Sequence, residues 1–166
     1  MSFTQAQFEE SMRLTLEPAR MTGQLAFVEA PIVTALPSAD TPVKIVGAED
    51  LTITNRNEFT YDSGTRDFTF DRPGATDIWF QINVAVSFSQ VAAASEVTMK
   101  LTKNGTAVDG IYLIHTIGTS GDVQIGYLKG RFQLDHGDYL NITVQGSKSG
   151  NFEGWSFSTD IKEEVQ

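Results

Sequence analysis

His115 and His136 are the only imidazoles in the chain, one in an alternating apolar stretch and one in a polar turn. Neither an H-x-H nor an H-E-x-x-H spacing occurs, and no carboxylate completes a ligand set, so a histidine metal centre is not expected. His115 reads instead as a hydrogen-bonded sheet residue. Cysteine is absent, which excludes disulfides, thiolate zinc sites and a thiol nucleophile together. The nearest approach to a serine nucleophile, Gly118-Thr119-Ser120-Gly121, lacks the G-x-S-x-G form of a strained elbow and reads as a loop tip. Asp62, Asp67, Asp71 and Asp77 gather around one predicted turn, and Asp135 and Asp138 flank another. Paired carboxylates can serve glycoside hydrolysis, and such loops can hold calcium. Aspartate is also the residue a turn selects for backbone hydrogen bonding, and these positions fit that role. No catalytic set converges, so an enzyme is not expected, and neither a cofactor nor a metal is required.

Two tryptophans offer a different chemistry, that of contact. Trp79 lies on the face of its predicted strand opposite a long apolar stripe, and Trp155 begins a second alternating run. A tryptophan so placed can meet another subunit, stack on a sugar, or be covered by its own chain. Trp79 and Gln81, with Trp155 and Phe157, are the candidate contact residues. The charge balance, 12 Lys+Arg against 21 Asp+Glu for a net −9, opposes nucleic acid and anionic membrane as partners. No early apolar stretch has the length of a signal peptide, so a soluble protein made in a cytosol is expected, with release only by a non-classical route or cell lysis.

The elements that must position these residues are strands. Ile78, Phe80, Ile82, Val84, Val86 and Phe88 alternate without a break, a period a helix cannot produce. Val97, Met99 and Leu101 repeat it, and Asn104-Gly105 supplies the positive-φ pair of a hairpin turn. Ile111, Leu113, His115 and Ile117 form another strand, and Leu140, Ile142 and Val144 follow the turn Asp135-His136-Gly137-Asp138. Trp155, Phe157, Thr159 and Ile161 close the series. Between them Val123, Ile125 and Tyr127 run in one phase while Leu128, Phe132 and Leu134 run in the other, which predicts a bulge near Gly126 and Gly130. Eight or more such strands without intervening helices predict an antiparallel sandwich or barrel.

The first quarter differs. Pro18, Pro31, Pro37 and Pro42 punctuate it, so residues 1–42 are expected as a helix plus an extended arm, and 43–166 as the folded domain. Thr4 and Gln7 have capping-box spacing and Pro18 stops the helix predicted over 4–17. That helix is too short to persist in water without a surface to pack on. Its apolar residues Phe3, Phe8, Met12 and Leu16 are therefore candidate anchors.

Four stretches together carry a resemblance. Phe68-Thr69-Phe70-Asp71-Arg72-Pro73-Gly74 followed by the strand from Ile78 resembles the approach to the central strand of the tumour-necrosis-factor-like superfamily, which includes complement globular heads. The Lys103-Asn104-Gly105 turn, the run Phe132 to Leu140, and Phe152-Glu153-Gly154-Trp155 are similar to that superfamily's later signatures and come in its order. The resemblance implies an all-β antiparallel jelly-roll sandwich that associates as a homotrimer through an aromatic-rich sheet. It implies neither an enzyme nor a receptor. The helix and arm, in place of a secretory leader or stalk, resemble the layout of phage virion proteins. The function expected is a trimeric capsid decoration (cement) or head-fibre protein of a tailed phage, bound to the major capsid protein on the capsid exterior and assembled in the host cytoplasm. A module that binds a host-surface glycan or receptor is the alternative.

Overall fold

The protein is described here by a computed structural model, over residues 18–26, 31–45, 52–62 and 64–164. The predicted helix over 4–17 and the anchors Phe3, Phe8, Met12 and Leu16 lie outside the described residues. Twelve strands follow in the described chain: β1 (Arg20–Ala26), β2 (Ile32–Leu36), β3 (Val43–Lys44), β4 (Thr52–Asn57), β5 (Phe59–Asp62), β6 (Asp67–Phe70), β7 (Ile78–Gln90), β8 (Ser95–Lys103), β9 (Thr106–Ile117), β10 (Gln124–Leu134), β11 (Tyr139–Gly146) and β12 (Gly150–Glu163). Sheet I has the order β10-β7-β12-β1-β4, with β2 beside β12, and sheet II the order β5-β6-β11-β8-β9, with β3 beside β11. All pairings are antiparallel.

The alternation in β7 does what its period requires. Phe80, Ile82, Val84, Val86 and Phe88 are buried against Val97, Met99 and Leu101 of β8 and Leu140 and Val144 of β11. One end of this core is aromatic: Phe59, Phe70, Phe80 and Phe132 lie with ring centroids 5.1 to 6.1 Å apart. Each fully buried phenylalanine contributes about 1.5–3 kcal/mol. The Asn104-Gly105 hairpin forms with φ of 51° and 78°, the conformation that this dipeptide tolerates.

Two sequence expectations are corrected. The proline-bearing segment is not a free arm once residue 18 is passed. β1 pairs with β12 from Arg20↔Lys162 to Ala26↔Ser156, and β2 pairs with the preceding end of β12, from Gly154↔Ile32 to Gly150↔Leu36. Ala19, Met21 and Leu36 are core residues. The prolines fall at strand ends, Pro18 and Pro31 before β1 and β2, Pro37 after β2 and Pro42 before β3, where a missing N–H costs nothing. The second correction concerns β10. It pairs with β7 in one uninterrupted register, from Gln124↔Phe88 to Leu134↔Ile78, with no bulge. The irregularities of sheet I lie elsewhere: in β12 between Gly154 and Ser156, with Trp155 the extra residue, and where β4 meets Thr22 and Gly23 of β1, with Thr54 extra.

Candidate functional site

Four of the six turn carboxylates, those of Asp62, Asp67, Asp135 and Asp138, are engaged in holding the ends of the sandwich. Asp62 Oδ1 accepts from the Gly64 and Thr65 amides, Asp135 Oδ1 from the Asp77 amide, and Asp138 Oδ2 from the Asp135 amide. Lys103 Nζ lies 2.9 Å from the same Asp138 oxygen. Burial pushes Asp138 up, but its bonds to the Asp135 amide, Lys103 and Asn104 outweigh this and hold it below the ordinary aspartate range. Asp67 is held low in the same way: desolvation is outweighed by Lys44, Asn141 and Thr65. Ser120 donates to the Val91 carbonyl, so the hydroxyl of the Gly118–Gly121 loop is bonded to backbone. His115 Nε2–H donates to Gln124 Oε1 at 2.8 Å across β9 and β10, the sheet role expected for it. His136 Nδ1 stands 3.6 Å from Asp71 Oδ1 on the surface.

The contact candidates are placed apart. Trp79 and Gln81 lie on the outward face of β7 near its start, and Trp79, 36% exposed, has the Arg131 guanidinium 5.2 Å from its ring centroid. Glu164 binds Arg131 through both carboxylate oxygens and so fixes that stack. Trp155 lies toward the opposite end, where its indole N–H donates to the buried Ser89 hydroxyl, which in turn donates to Glu153. Phe157 pairs with Val86 and packs against the core. These four residues therefore do not form one patch.

A patch does form on the outer face of sheet I along β10, the edge strand that runs beside β9 of sheet II. Val123, and Ile125 and Tyr127 of β10, are large, apolar and exposed, Ile125 by 63% and Tyr127 by 58%, while the exposed Tyr112 and Ile114 of β9 belong to the outer face of sheet II. Sequence reasoning saw three of these residues and assigned them to a phase slip. They are the outward phase of β10. The face beside them is small: Ile125 pairs with Ser87 and Tyr127 with Ala85, and these in turn pair with Ser156 and Ser158 of β12. Large side chains thus rim a flat, low surface, which is the relief that protein contacts use.

No family model matches the chain, and no curated protein matches it. Solved structures do. The chain is similar to Eiger TNF from S. frugiperda (TM-score 0.56, 10% identity, 89% of this chain and 94% of that one). It is also similar to murine APRIL at pH 5.0 (TM-score 0.53, 13% identity, 86% and 98%) and at pH 8.0 (TM-score 0.52, 12% identity, 86% and 98%). At such identities the likeness speaks for the fold, and it spans nearly all of each chain. With two antiparallel sheets in the orders given above, the chain is a tumour-necrosis-factor-like jelly roll.

Proposed function

We propose that the chain is a non-enzymatic structural module, a homotrimeric decoration or head-fibre protein on the capsid exterior of a tailed phage. The observation that supports this reading is the apolar edge of Val123, Ile125 and Tyr127 beside the flat Ala85–Ser87–Ser156–Ser158 face. An edge and a face on one subunit are complementary surfaces in different places, which suits head-to-tail association, and a threefold rotation closes it as a ring. Removing each of these side chains from water contributes about 1.5–3 kcal/mol before ordering costs. A net charge of −9 suits the outside of a particle, away from packaged DNA. The major capsid protein is the partner, and the segment bearing Phe3, Phe8, Met12 and Leu16 is its anchor.

Light scattering tests the assembly. The expected mass is three times the 18.2 kDa chain. Ile125→Asp with Tyr127→Asp should give a folded monomer, because both side chains are exposed and only the interface is asked to bury two charges. Protein mass spectrometry of purified particles should then find the wild-type chain in stoichiometric ratio to the capsid protein. A wild-type monomer overturns the trimer, and absence from particles overturns the virion role.

A further inference from the structure

On the outer face of sheet II the hairpin of β8 and β9 departs from regular pairing. Lys100 faces Tyr112 and Thr102 faces Ala107, so Leu101 alone spans the stretch covered on β9 by Val108, Asp109, Gly110 and Ile111. Gly110, at φ 76° with open space around it, allows that turn of backbone. The raised strand walls a groove of about 360 Å³, continuous through Lys100, Ala107 and Gln145 with a second depression of about 290 Å³. Both are within the size range of small-ligand sites.

Its floor is a grid of polar side chains. Gln145 of β11 pairs with Thr98, and Thr143 pairs with Lys100, which pairs in turn with Tyr112. In the two depressions Lys44 is matched to Asp67, whereas Lys100 has no acidic partner among the described residues. Tyr112 is 56% exposed and stands beside this free ammonium. An aromatic face beside hydroxyl and amide groups suits the mixed apolar and hydroxyl surface of a sugar ring. Lys44 of the adjoining depression is held by Asp67, which leaves Lys100 as the ammonium open to one carboxylate on a chain of net −9. A phosphate would call for more cations, and Asp109 on the wall opposes a doubly charged group.

We infer that this groove binds an acidic saccharide, with the sugar ring stacked on Tyr112 and its carboxylate on Lys100. The site does not depend on the virion role.

The test is a titration followed by amide chemical shifts, with methyl β-glucuronide and N-acetylneuraminic acid as acidic probes and methyl β-glucoside as the neutral control. The expected result is millimolar binding of at least one acidic probe, at least tenfold weaker binding of the glucoside, and shifts confined to β8, β9 and β11. Lys100→Gln should remove the preference for acid, and Gln145→Ala should weaken binding of both probe types. Tyr112→Phe should keep binding that Tyr112→Ala loses. Light scattering on each sample separates loss of the site from loss of the trimer. Equal affinity for acidic and neutral probes, shifts elsewhere, or an affinity unchanged in Lys100→Gln overturns the inference, as does the absence of any shift at 50-fold probe excess.

Discussion

At Glu163 one carboxylate joins three parts of the chain. Arg72 donates to both of its oxygens, at 2.9 and 2.6 Å, and the Ala19 amide donates to one of them at 2.8 Å. Arg72 also donates through Nε to Glu58, so the start of β1, the β4–β5 junction and the end of β12 are held by one guanidinium. The Arg72 bonds pull the Glu163 carboxyl below the ordinary glutamate range, with the Ala19 amide adding to this and partial burial opposing it. A carboxylate whose folded pKa lies below its unfolded value stabilises the fold above the unfolded value, roughly 4.3, and loses that contribution as pH falls toward the folded one. Asp67 and Asp138, also held low, act in the same direction. The melting temperature should therefore fall below about pH 4.5. Glu163→Gln should cost about 1–2 kcal/mol at pH 7 and make the acid decline shallower, since one carboxylate fewer takes up a proton on unfolding. Calorimetry from pH 3 to 7 checks both, and a variant with the wild-type acid slope would show that Glu163 carries none of it. None of this was legible in the sequence, because residues 58, 72 and 163 meet only once both sheets have formed.

At the scale of elements, β10 shows why part of the pattern was legible and part was not. Buried alternation is read from side chains, and β7 displays an unbroken run of them. In β10 the inward phase is Gly126, Leu128, Gly130, Phe132 and Leu134, and glycine leaves that phase without an apolar marker at two positions. The outward phase meanwhile carries Ile125 and Tyr127, so the apolar signal changes sides where the backbone does not. The glycines are there for what crosses from sheet II. A Cβ at Gly126 would lie 2.2 Å from Leu113 Cδ2, and one at Gly130 2.4 Å from Ile111 Cγ1. The side chains of β9 thus fill the space that the glycines leave in β10. Leu113 is half-buried and meets Gly126 with a terminal methyl, so it can turn aside. Ile111 is buried and meets Gly130 with a carbon next to its branch point, whose movement requires backbone to move. Gly130→Ala should therefore cost about 2–3 kcal/mol and Gly126→Ala about 1 kcal/mol. Urea unfolding of the two variants would show this order, and equal costs would mean that Ile111 is as free to move as Leu113.

For the whole molecule, the question is where the folded jelly roll ends and the segment proposed as its anchor begins. Composition placed that boundary near residue 42, because prolines mark extended chain and do not tell whether the chain is paired. Pairing in β1 and β2 depends on β12, more than a hundred residues later, and no local pattern carries that information. The buried Ala19 and Met21, with the Ala19 amide on Glu163, make residues from 19 onward part of the domain. Removing residues 1–22 would take two side chains from the core and half the partners of β1, so loss of attachment would be confounded with loss of fold. Removing residues 1–17 leaves every described contact intact. That truncation should keep the melting temperature within about 2 °C, keep the assembled mass at three chains, and lose binding to undecorated capsids. The loss is expected because Phe3, Phe8, Met12 and Leu16 go together, and burying three or four such side chains contributes roughly 5–8 kcal/mol before ordering costs, a large share of any docking free energy. Sedimentation of truncated and full-length protein with capsids reads the result directly. Full occupancy by the truncated form would move the anchor onto the jelly roll itself, and a melting temperature lowered by ten degrees would make the first seventeen residues part of its core.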